Sequence, residues 1–109
     1  MCSTCEPIVL TEYGNGQISW CKRCKGYSLV FNSCCLSLTH YELVEFRDIL
    51  GELADEDFTY EVNGKYHVII QNPRYNIGLC LKPRQVETLR SMIQEAIAVN
   101  EVFSIIYNT

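Results

Sequence analysis

The chain predicts an α+β fold: an antiparallel sheet with two helices packed on one face and a zinc-ribbon-like hairpin at the N-terminus. Three observations carry this reading. Short apolar runs separated by Gly and Asn turns fill the first third and the middle of the chain. Two longer stretches repeat apolar residues at spacings of three and four. Four cysteines form two CxxC pairs, Cys2 with Cys5 and Cys21 with Cys24, with fifteen residues between Cys5 and Cys21. That spacing is the usual framework of a tetrahedral four-thiolate zinc site.

The elements follow in order. Residues 8–13 read as a strand, Gly14-Asn15-Gly16 as a turn in which glycine supplies positive φ, and residues 17–20 as the return strand. Folding this hairpin about Asn15 brings Cys5 near Cys24, so the two pairs converge at its open end. Gly26 is expected to let the backbone turn around the metal. Residues 27–31 and 35–38 read as strands joined at Asn32-Ser33. Thr39-His40-Tyr41-Glu42 fits a capping box, and Leu43, Phe46, Leu50 and Leu53 line one face of the helix it opens. Asp55-Glu56-Asp57 is a short acidic loop. Residues 58–62 and 66–70 flank Asn63-Gly64, a strong hairpin signal. A turn at 72–75 leads to a strand over 76–81. Pro83 then opens a helix lined by Val86, Leu89, Ile93 and Ile97. Residues 102–107 are apolar and fit either an extension of this helix or a last strand.

With 109 residues the chain makes one domain. Within it, 1–26 is the zinc-ribbon-like hairpin, 27–54 a first strand–helix unit and 57–109 a second. The halves echo each other. Residues 26–32 align with 65–71, and 36–39 with 79–82 if the second turn is longer. A strand–strand–strand–helix unit used twice would explain this, and chance similarity of ordinary patterns would explain it equally well.

The net charge of −4 excludes a uniformly basic nucleic-acid binder and leaves room for a local basic face. No apolar run approaches the roughly 20 residues of a membrane span, and the N-terminus does not read as a secretory signal. The expected address is the cytoplasm, without membrane association, where thiols stay reduced. The cysteine count of seven is odd, which argues against a disulfide framework. Cys35 and Cys80, in apolar surroundings, are expected in the core.

The run Gly16-Gln17-Ile18-Ser19-Trp20-Cys21-Lys22-Arg23-Cys24, followed by Tyr27-Ser28-Leu29-Val30-Phe31-Asn32, resembles a family of small uncharacterised bacterial proteins. Their N-terminal cysteine motif, Trp-Cys-x-x-Cys segment and strand-rich middle are similar to this chain over most of its length. The resemblance implies no activity, since that family has none assigned. Two strand–strand–strand–helix units also resemble, in topology alone, single-strand nucleic-acid-binding regulators of the coactivator and Pur-repeat type.

Three functions are weighed on these residues. In the first, Cys2, Cys5, Cys21 and Cys24 hold a structural Zn²⁺. The chain is then a non-catalytic binding or regulatory module, with a protein partner not named by the sequence and no oligomeric state specified. Free surface thiols are the bland alternative, and His40 or His67 would serve only in place of a missing cysteine. In the second, Lys22, Arg23, Lys25, Lys65 and Arg74 track phosphates while Trp20, Tyr27, Tyr60 and Tyr66 stack bases of a single strand. In the third, Cys21 and Cys24 form a thiol oxidoreductase site. Such a site opens a helix, whereas here Gly26 and a strand follow. No phosphate loop, HExxH or nucleophile elbow occurs, so an enzyme is not expected.

Overall fold

A computed structural model of the chain describes residues 6–72 and 77–107. Four strands come first: β1 (Ile8–Tyr13), β2 (Gly16–Cys21), β3 (Gly26–Phe31) and β4 (Cys34–Leu38). They form one antiparallel sheet in sequence order. Helix α1 (His40–Glu52) and a 3-10 turn (Asp55–Asp57) follow. Then come β5 (Tyr60–Val62), β6 (Lys65–Asn72) and β7 (Ile77–Leu81), a second antiparallel sheet, and helix α2 (Pro83–Tyr107). The fold is mixed α+β with two sheets, not the single sheet expected from the sequence. The strand–strand–strand–helix order occurs twice, as β2–β3–β4–α1 and β5–β6–β7–α2.

Local chemistry explains the elements. Asn32 and Ser33 both take left-handed φ, as do Asn63 and Gly64. These are two-residue turns whose twist suits the hairpins they close. Thr39 caps α1 as expected. Its hydroxyl accepts from the Glu42 N–H at 3.1 Å, and the Glu42 carboxylate accepts from the Thr39 N–H at 2.9 Å. The stretch 102–107, open between two readings, continues α2.

Alternation sets the buried face. Ile18, Tyr27, Leu29, Phe31, Leu36 and Leu38 point inward from the first sheet. A bulge between Val9 and Thr11 buries both Leu10 and Thr11. Helix α2 packs on β1 and β2, α1 on β3 and β4, and the two helices pack against each other. Val86, Leu89, Met92, Ile93, Ala96 and Ile97 supply the α2 face, and Leu43 and Leu50 that of α1. Val68, Leu79 and Leu81 of the second sheet join the same core.

Two cysteines correct the sequence reading. Cys35 and Cys80 are exposed. Each sits one residue from inward-facing leucines, Leu36 for Cys35 and Leu79 and Leu81 for Cys80. The period of two therefore turns both thiols outward, opposite Val30 and Ile69. Among the described residues, no helix is long and apolar enough to cross a membrane.

Candidate metal centre

The second cysteine pair occupies the turn between β2 and β3, the central strands of the larger sheet. Cys21 ends β2, and residues 22–25 turn the chain into β3. The turn closes on Cys21 twice. The Lys25 N–H donates to the Cys21 carbonyl oxygen at 2.7 Å, and the Cys24 N–H donates to Cys21 Sγ at 3.3 Å. Lys25 takes the left-handed conformation, at φ 54°. The turning residue is therefore Lys25 rather than Gly26, which already belongs to β3. A backbone N–H aimed at sulfur orients that sulfur for a metal. Cys21 is half-buried and Cys24 exposed.

The N-terminal pair, Cys2 and Cys5, lies outside the described residues. Strand β1 approaches the turn directly, since Ile8 pairs with Trp20, the neighbour of Cys21. Among the described residues, no group of three or more His, Cys, Asp or Glu side chains gathers as a metal site. His40 bonds to Tyr27 instead, and His67 places Nδ1 3.0 Å from the Lys65 carbonyl oxygen.

The structure disperses the residues of the nucleic-acid reading. Lys22, Arg23 and Lys25 are exposed on the cysteine turn, and Lys65 is exposed on β6 of the other sheet. Arg74 lies outside the described residues. Tyr27 is 2% exposed and packs against Trp20, with ring centroids 4.7 Å apart. It offers no face to a base, because its inward strand position places it in the core. Tyr60 and Tyr66 are exposed on opposite faces of the second sheet, since Tyr60 pairs with His67 and Tyr66 with Glu61.

A polar triad escaped the sequence reading. Asn100 donates from Nδ2 to the Tyr27 oxygen at 3.0 Å, and that hydroxyl lies 2.9 Å from Nδ1 of His40. The set links α2, β3 and α1. A signal existed, because Asn100 stands three residues beyond Ile97 on the inward stripe of α2. A carboxamide there requires a buried partner.

These features define a small α+β protein with a cysteine turn at the centre of its larger sheet. The chain belongs to a family of unknown function, DUF6686, whose model matches residues 1–107. No curated protein and no solved structure matches it.

Proposed function

We propose that the chain is a binding or regulatory module without chemistry of its own, built on a structural Zn²⁺ held by Cys2, Cys5, Cys21 and Cys24. The observation that carries this is the N–H of Cys24 aimed at Cys21 Sγ within a turn closed by Lys25. Cys21 and Cys24, half the proposed donor set, share that turn. Cys5 precedes Ile8 by three residues, a span of at most about 10 Å, and Ile8 pairs beside the turn. Four thiolates make a closed, electron-rich site that fits zinc and leaves no open position for substrate. The thiol-oxidoreductase alternative is disfavoured because Cys21 and Cys24 lead into β3, not into a helix whose N-terminus would lower a thiol pKa. A protein partner is favoured over a nucleic-acid strand, since Tyr27 is in the core and Tyr60 and Tyr66 face apart. A reducing compartment, the cytoplasm, belongs to this reading, since a four-thiolate site needs its cysteines reduced.

Metal content and free thiols, measured together on native protein purified without added metal, test the proposal. The expected result is one zinc per chain, with Cys34, Cys35 and Cys80 the thiols that react while the metal stays bound. Cys21→Ser should lose the zinc. Metal-free protein with all seven cysteines reactive would overturn the assignment.

A further inference from the structure

A cavity of about 200 Å³ lies between β1, the end of β2 and the C-terminal turns of α2. Ile8, Trp20 and Phe103 contribute apolar wall, and Asn100, Lys22 and Ser104 the polar groups. Apart from Lys22, none of these residues belongs to the cysteine turn.

Asn100 is buried, on the inward face of its helix. One of its N–H groups is used on Tyr27, which leaves a second N–H and the carbonyl oxygen to meet a ligand at the floor. Lys22 is exposed and makes no ion pair among the described residues. Lys22 thereby brings a positive charge to the mouth on a chain of net charge −4. A cavity of about 150 Å³ accepts benzene, so this one has room for a single substituted ring.

We propose that this cavity binds a small aromatic carboxylate. The ring lies between Trp20 and Phe103, where its faces meet aromatic surface. The carboxylate meets the Lys22 ammonium and the Ser104 hydroxyl at the mouth. A hydrogen-bonding substituent across the ring reaches Asn100. The inference goes beyond the structural-zinc reading and does not rest on it.

The test is an NMR titration of the full chain with 4-hydroxybenzoate, its neutral analogue 4-hydroxybenzamide, and acetate. Trp20 is the single tryptophan, so its indole N–H signal needs no assignment. 4-Hydroxybenzoate should shift the Trp20 indole and the Asn100 side-chain amide saturably. Lys22→Gln should weaken binding about tenfold, and 4-hydroxybenzamide should bind the native protein more weakly by a similar factor. Lys25→Gln, on the same turn and outside the cavity, should bind as the native chain does. Ser104→Trp, at an exposed position, should fill the mouth and abolish the shift while the rest of the spectrum persists. The proposal is overturned if 4-hydroxybenzoate leaves Trp20 unmoved. It is equally overturned if acetate reproduces the shift, or if the amide and Lys22→Gln protein match the acid and native protein.

Discussion

Gly16 and Gly51 show how one residue type answers two different demands. A Cβ on Gly16 would stand 2.9 Å from both the Val30 carbonyl oxygen and Met92 Cε. Gly16 is needed where β2 passes close to β3 and α2, and not for positive φ, since Gly64 is the glycine with left-handed φ among the described residues. Gly51 lies within α1, where a Cβ would stand 3.2 Å from Arg90 Nε, on the movable end of a long side chain. Gly16→Ala is therefore expected to destabilise by about 1–3 kcal/mol. Gly51→Ala is expected to stabilise by about 0.5–1 kcal/mol through helix propensity. Urea unfolding of the two variants decides the point, and a Gly16→Ala protein as stable as the native one would refute the close-approach account. At this scale the sequence marked Gly16 as a turn glycine chosen for positive φ, and the structure replaces that reason with close approach. The crowding comes from Met92, 76 positions away in the chain.

At the scale of elements, Tyr27 joins β3 to both helices through His40 and Asn100. Burial raises its phenol pKa above the usual 10.0. The Glu101 charge adds to the shift, and the Asn100 hydrogen bond opposes it. The native state thus holds a proton that the unfolded chain gives up near pH 10. Stability from this group is complete below that pH and is lost as pH rises toward and through the native value. Thermal unfolding should accordingly fall more steeply above pH 10 in the native chain than in Tyr27→Phe, which has no proton to lose there. Parallel pH profiles for the two proteins would count against a buried, un-ionised Tyr27. The elements themselves were legible, because caps and two-residue turns act through near neighbours. Thr39 with Glu42, and Asn63 with Gly64, carry their geometry within four residues.

At the scale of the molecule, the helices belong to the first sheet. Helix α2 follows β7 in the chain yet packs on β1 and β2. The cysteine turn between β2 and β3 is therefore coupled to the far end of the sequence. Val102, Ile105 and Ile106 leave apolar surface exposed on the last turns of α2. Chelation of the proposed zinc should first raise amide exchange around the cysteine turn and in β1 and β2. The C-terminal part of α2 should follow, while β6 and β7 keep their protection. Exchange that rises uniformly, or not at all on protein shown to carry zinc, would argue against a structural metal at the turn.

The sequence by itself determined the α+β class, the strand and helix order, the capping box, the tight hairpins and the inward leucines. Each is set by contacts within a few residues or by a period of two or 3.6. It also singled out Cys21 and Cys24 as a pair, because CxxC spacing is local. Tertiary structure alone decided that there are two sheets, that α2 lies on β1 and β2, and that Tyr27 is withdrawn from solvent onto Asn100 and His40. It also decided that Trp20, Lys22, Asn100 and Phe103 share one cavity. Alternation says which side chains share a face but not which strand or helix covers that face. That choice rests on packing between segments far apart in the chain, which no local pattern records.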